Sequence, residues 1–441
     1  MKLSRHFLLL LCLAFPLVLC AQEDDKSDEK QEESDGFSQR KIDSTMALSP
    51  DFMPVSYDYF SPHWIIPLEF KPVDTSMAKT HQYNPLHRNE NITQNLGFLG
   101  QAHQFMNYDF HYDMGFSMIT LPYPLYMKTQ DQLKIYDVQT SYTDLAFTFG
   151  IANEYDFTAS HAQKVKGITF AFNMYAFSNE GYYLNQTNRN INVDFMLHYE
   201  IPSKIYGFTV SYIFDRLKMG DNGGLVSGDA FKAHIAEDLM GYKVKSAYGK
   251  SMIRTHEMAF QQYVNIITEN KKYFGSITHS LEFKQLYTSY FDEKFDSTFY
   301  QPHYLISPDT TFDTVKYYSI RNTVQWSNYK PYDTLPGKKY FLRVSGGLMH
   351  EYVNAESPEY KGNTFYLFAR AQIRFFGVMD VFGRISYAFG GYNRNDAFAE
   401  AGLKWQIQKK YNHYLGLKLD YYHNSPDFIY QTYCGNLGIR T

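Results

Sequence analysis

Cysteine is scarce in this 441-residue chain: three are present, and two of them, Cys12 and Cys20, lie in the first twenty residues. The opening MKLSRHFLLLLCLAFPLVLCAQEDD places Lys2 and Arg5 ahead of an apolar run from Phe7 to Cys20, followed by Ala21. That is the layout of a secretory signal peptide cut after Ala21. Its run of about 14 residues contains Pro16 and falls short of the roughly 20 residues that a membrane-spanning helix needs. Cleavage leaves Cys434 as the one cysteine, which excludes an intrachain disulfide. Leu19 stands before Cys20 where lipoprotein processing wants a small residue, so lipidation is not expected.

Long hydrophobic runs are missing as well. Past the leader no stretch reaches about 18 uninterrupted apolar residues, and the mean hydropathy is -0.42, which together exclude a helical membrane bundle. A membrane protein built of strands is not excluded, because every second residue of its strands faces water. An excess of positive charge is also lacking: the net charge of -4 becomes -6 when Lys2 and Arg5 leave with the leader. No nucleic-acid partner is therefore expected. There is no HExxH, no GxSxG, no phosphate loop and no cysteine cluster. His111, His161, His198, His256, His279, His350 and His413 fall on different segments, so no enzyme, cofactor or metal site is expected.

What the chain has in abundance is Tyr and Phe, 40 and 36 of them against 3 Trp. Tyr suits a membrane interface, with an apolar ring and a wet hydroxyl. Residues 22–36, QEDDKSDEKQEESDG, hold eight acids and two lysines and read as an acidic disordered tail. Residues 37–100 read as an irregular region with weak periodicity, and the alternation that follows assigns 101–441 to one sheet-forming domain.

INVDFMLHYEI, Ile191 to Ile201, is the clearest case: Ile191, Val193, Phe195, Leu197, Tyr199 and Ile201 share one face, and Asn192, Asp194, Met196, His198 and Glu200 the other. A soluble sandwich would turn the apolar face inward, whereas an outer-membrane barrel turns it to lipid. Ten steps of about 3.3 Å, tilted near 40°, project to about 25 Å, the height of a barrel's apolar band. Soluble strands cluster at about five or six residues, so length favours the barrel. Similar alternation runs through Tyr108–Met118, Ile168–Ala176, Tyr206–Phe214, Tyr340–Tyr352, Phe365–Phe375, Ala397–Ile407 and Tyr411–Tyr421. The reading is an all-β chain forming a transmembrane antiparallel up-and-down β-barrel of about 14–16 strands. KVK (164–166), PSK (202–204), TENKK (268–272), Gly377 and KK (409–410) read as short inner turns. NEGYYLNQTNR, the stretch from DRLKMGDNGGLVSGD to about 252, FDEKFDSTFYQPHYLISPDTT and AESPEYKGN read as long outer loops. Asp221, Asn222 and Asp229 in the Gly-rich stretch depart from the EF-hand spacing and read as a turn.

The segment TSYTDLAFTFGIANEYDFTASHAQKVKGITFAFNMYAFSNEGYYLNQ, with NITQNLGFLGQAHQFMNYDF before it and NGGL after it, resembles the putative porin family of Bacteroidota. The resemblance covers roughly residues 90 to 290 and implies a location in the cell outer membrane. Outer-membrane lipid and the barrel assembly machinery are then the implied partners, with small polar solutes as cargo and a second copy in a homo-oligomer. The ending CGNLGIRT lacks the terminal aromatic that such barrels carry, which raises the expectation of a barrel incomplete at its C-terminus. Passive diffusion or uptake is the expected function; a barrel with a structural or assembly role and no open pore is the alternative.

With the apolar faces on lipid, the opposite faces present Asp194, His198, Glu200, Arg370, Arg374, Asp380, Arg384, Glu400, Lys404, Lys418 and Asp420 to the lumen. The five acids and five bases among them make no single-sign ring, so weak ion selectivity is expected. Arg370, Arg374 and Arg384 form either a basic patch or salt bridges with Asp380 and Glu400. Finally, Asp296-Ser297-Thr298, Asp309-Thr310-Thr311, Asp313-Thr314-Val315 and Asp333-Thr334-Leu335 resemble an O-glycosylation signal of Asp, then Ser or Thr, then a small or aliphatic residue, as does Asp43-Ser44-Thr45.

Overall fold

The alternating segments pair in chain order into one antiparallel sheet of thirteen strands. The computed structural model describes residues 55–441 apart from 63–67, 69, 75, 77–79, 88–91, 97, 108–113, 152, 233–237, 268–272, 295–306, 308–309, 333–339, 409–412, 432, 436–437 and 441. All described residues belong to one unit, Met53–Thr441. The leader and the acidic tail lie outside them.

Before the main sheet come short strands: β1 (Val55–Tyr59), β2 (Lys71–Pro72), β3 (Thr93–Asn95), β4 (His103–Phe105) and β5 (Lys134–Val138), pairing as β2-β1-β5 and β3-β4. The sheet itself runs β6 (Tyr142–Gly150), β7 (Glu154–Val165), β8 (Ile168–Asn179), β9 (Asn188–Glu200), β10 (Tyr206–Gly220), β11 (Lys250–Ile267), β12 (Tyr273–Asp292) and β13 (Thr311–Ser327). It continues with β14 (Leu342–Ser357), β15 (Glu359–Phe375), β16 (Met379–Phe389), β17 (Ala397–Gln408) and β18 (His413–His423). A small hairpin, β19 (Tyr433–Gly435) and β20 (Gly438–Arg440), follows, and one helical turn, α1 (Gly228–Lys232), interrupts the connection after β10.

Burial along these strands inverts the rule for soluble proteins. On β9 Asn188, Asn190, Asn192 and Asp194 are buried while Ile191, Val193, Phe195 and Leu197 are half-exposed. On β10 Thr209, Ser211 and Asp215 are buried, and Tyr206, Phe208, Val210, Tyr212 and Phe214 look out. Leu417 and Leu419 of β18 are 63% and 66% exposed. An apolar outer face over a polar inner one is the signature of strands that cross a bilayer. The register between β9 and β10 holds without a slip from Gly207↔Glu200 to Met219↔Asn188, so each face stays coherent.

Connections follow the expected alternation in size only in part, since the long link 328–341 lies at the end of the short turns and the short link 151–153 at the end of the long loops. At one end lie two-residue Lys166-Gly167, both at positive φ as a type I′ hairpin turn requires, and the short links at 201–205 and 376–378. At the other end lie 180–187, 221–249 and 293–310. AESPEYKGN departs from the expectation of a long loop: it is a tight hairpin, with Glu356 paired to Glu359.

Two further expectations are corrected. Among the described residues the main sheet begins at Tyr142, against an expected start near residue 101, and has thirteen strands against the expected 14–16. Met114, Phe116 and Met118, whose spacing mimicked a membrane strand, are buried at 3%, 5% and 1% in non-strand chain. Their alternation serves packing under the sheet; residues 108–113 of that run lie outside the described residues. The edge strands β6 and β18 do not pair with each other among the described residues, so the sheet is not closed.

Candidate functional site

The inward face of the sheet is the candidate site, and residues 98–107 and 114–138 occupy much of it. The carbonyl of Leu99 accepts from Asn179 Nδ2 at 2.7 Å near β8, while Ser117 and the Thr120 N–H donate to Asp427, past β18, at 2.5 and 2.7 Å. One segment therefore reaches both ends of the strand order, and the sheet curls around it.

Polar groups on the strands fix this segment by name. Lys128 Nζ pairs with Asp194, which also accepts from Asn173 at 2.8 Å. The Lys128 N–H donates to Asp215 at 3.1 Å, and Asn192 donates to the Tyr126 carbonyl at 2.8 Å. Ser211 donates to Gln130 at 2.7 Å. Further round, Glu351, with no exposed surface, accepts from Arg321 Nε and from the Phe116 N–H, both at 2.7 Å. Apolar contacts fill the gaps: Leu99, Phe116, Met118 and Tyr126 pack with Leu217, Ile253, Leu286 and Val353. Phe60, Leu133 and Ile135 pack with Met196, Ile213 and Tyr263.

His103 in this segment is buried. Its ring accepts from the Leu125 N–H at 3.1 Å and lies 3.3 Å from the Gln101 carbonyl, an arrangement suited to the neutral imidazole. Burial holds it below the ordinary histidine range, opposed by the Gln101 hydrogen bond.

The sequence-predicted lumen residues thus divide into two groups. Asp194, His198 and Glu200 do face inward, but under cover: Asp194 under Lys128, His198 beside Thr209 (2.9 Å) and the Tyr332 ring (4.6 Å), and Glu200 against the Tyr263 hydroxyl (2.7 Å). Tyr332 belongs to the link after β13, and its hydroxyl donates to Gln261 at 2.8 Å.

The second group borders a cavity of about 490 Å³ along β15–β18, lined by Arg370, Arg374, Asp380, Arg384, Glu400 and Lys404 among others. Here the salt-bridge alternative prevails for two of the three arginines. Arg374 grips Asp380 with two bonds of 2.6 Å, and Arg384 grips Glu400 at 2.8 and 2.6 Å. Lys418 bridges Glu400 and Asp420 at 3.2 Å each. Lys404 lies 4.4 Å over the Tyr414 ring. Arg370 stands directly opposite Arg384, and its buried Nη1 has no hydrogen-bond partner among the described residues. Two of the wall's arginines are thus neutralised in pairs, while Arg370 and Lys404 are in no ion pair among the described residues.

Sequence reasoning missed the covering segment. Its signal lay on the polar faces, where Met196, Ile213, Leu217, Ile253 and Leu286 interrupt the hydrophilic pattern; a water-filled lumen has no use for them. Of the modification candidates, Thr310 is exposed and Thr314 lies at the start of β13, while Ser297 and Thr334 lie outside the described residues. Asp221 and Asn222 serve the loop itself: Asp221 accepts from Ser251 and Asn222 from the Gly224 N–H at 3.0 Å. No group of three or more His, Cys, Asp or Glu able to hold a metal occurs among the described residues.

A family model described as "Putative porin" matches residues 67–440. No curated protein matches the chain. Among solved structures, the crystal structure of a single-residue mutant of the ferric enterobactin receptor of Pseudomonas aeruginosa is similar at 10% identity, with a TM-score of 0.39, over 61% of this chain and 41% of that one. The chain thus spans about two fifths of that receptor's length.

Proposed function

The chain belongs to the putative porin family, and on that footing we propose that it is an outer-membrane channel protein through which small polar solutes pass along the inner wall of β15–β18. The observation that carries the reading is the cavity there. Its wall is hydrophilic and ion-paired, whereas the outward faces of the same strands are Phe365, Leu367, Ile385, Leu417 and Leu419, exposed and apolar. Paired charges keep a wall wet without trapping an ion of either sign. Arg370 tilts the balance, so anions pass ahead of cations. Solute entry into liposomes holding the purified chain tests this: swelling in isotonic solutions of small sugars and sugar acids is expected, and liposomes that stay osmotically tight to both contradict it.

A second reading has its own support. Residues 98–107 and 114–138, with Tyr332, cover the inner faces of β8–β14, as in a barrel that serves assembly or structure and passes nothing. Tight liposomes that nevertheless contain correctly folded protein would select it.

A further inference from the structure

On β9, β10 and β11 the outward-facing positions carry five charged residues, and all five are cations: Arg189, Arg216, Lys218, Lys250 and Arg254. Lys218 stands directly opposite Arg189, and Arg216 directly opposite Arg254. Facing cross-strand partners sit about 4.5–5.5 Å apart at Cβ, where like charges destabilise the pair. Two such pairs in adjacent rungs make a concentrated positive patch. Among the described residues none of the five is in an ion pair; Arg254 lies 5.3 Å over the Tyr287 ring. Glu180, near Arg189 just past β8, instead accepts from Asn153 at 2.9 Å. Lys316, further round the same rung, is satisfied by Glu356 at 2.7 Å and shows what neutralisation on this face looks like.

Position along the strand gives the patch its partner. On β10 the outward residues are Tyr206, Phe208, Val210, Tyr212 and Phe214, and then Arg216 and Lys218. Ten residues from Tyr206 to Arg216, at about 3.4 Å each and tilted near 40°, rise roughly 26 Å, which is the height of the apolar band. The cations begin where hydrocarbon ends, at the end of the sheet that carries the long connections 180–187 and 221–249 and so faces the outside. Side chains at that level and on that face meet lipid headgroups. Guanidinium forks bind phosphate oxygens in two parallel hydrogen bonds.

We propose that Arg189, Arg216, Lys218, Lys250 and Arg254 form a binding site for the phosphate of an anionic lipid headgroup in the outer leaflet. The phosphate relieves the repulsion that the two facing cation pairs build into the bare sheet.

Native mass spectrometry of the full-length protein in detergent, titrated with a diphosphorylated lipid A or with phosphatidylcholine, reads the site. Retained adducts with the phosphorylated lipid and none with phosphatidylcholine are expected. The Arg216→Gln/Arg254→Gln variant is expected to bind roughly 30-fold more weakly, at about 1 kcal/mol per cation near an anionic surface. Arg216→Glu places an acid opposite Arg254, favours the fold by that pairing, and is expected to lose the adduct while keeping the heat-modifiable mobility of a folded barrel. Equal binding of both lipids, unchanged affinity in these variants, or full displacement of the lipid by millimolar inorganic phosphate would overturn the proposal.

Discussion

Glu351 shows how a single buried carboxylate can decide the state of the interior. It neutralises Arg321 on β13 and holds the Phe116 N–H of the covering segment. Breaking a buried pair by removing one partner costs about 3–5 kcal/mol, so Glu351→Ala is expected to lower the unfolding temperature clearly and to open residues 98–138 to protease; unchanged melting and protection would remove Glu351 from this role. His103 adds a pH dependence. Its folded-state proton affinity is lowered, so the packed segment loses stability as pH falls below about 6.5, where the unfolded imidazole gains its proton first. Amide protection factors over 98–107 and 114–138, taken relative to the intrinsic exchange rate at each pH, are expected to fall between pH 7 and pH 5, and to do so less in His103→Asn. Arg370 belongs to the same scale: Arg370→Gln is expected to shift the reversal potential toward cations, and an identical potential would exclude it from the solute path. The inward direction of Asp194, Glu200, Arg370 and Glu400 was legible from alternation. Their partners were not, because strand neighbours such as Arg384 and Glu400 follow from register, and Lys128 reaches Asp194 from outside the sheet.

Strands were the most legible elements, since period-2 alternation over eleven or more residues leaves few other solutions. Phe365 to Phe375 and His413 to Tyr421 lie on the faces their spacing assigned. Alternation misled at Met114–Met118, where a non-strand segment buries every second residue against strand side chains and produces the same period. AESPEYKGN misled the other way: Pro358 marks the turn, while Glu356, Glu359 and Lys361 continue two strands above the apolar band. The lipid-facing assignment is tested on β18. Leu417→Arg puts a charge near the middle of the apolar face, at about 2–4 kcal/mol, and is expected to reduce the outer-membrane yield sharply. Lys418→Glu on the opposite face is expected to be tolerated. Equal tolerance of both changes would refute the assignment.

At the scale of the whole molecule, the thirteen strands enclose two environments. One half of the inner face is packed with the protein's own N-terminal segment; the other keeps a charged cavity beside an open edge. The sequence could show a membrane-type sheet, because polarity per strand is local. It could not show which interior volume is filled, because that depends on contacts as distant as Ser117 with Asp427. Stepwise ion current from the purified full-length chain in a planar bilayer measures the remaining free path directly. Discrete openings with a weak preference for anions are expected, whereas folded, membrane-inserted protein that carries no current at either polarity would refute an open path along β15–β18.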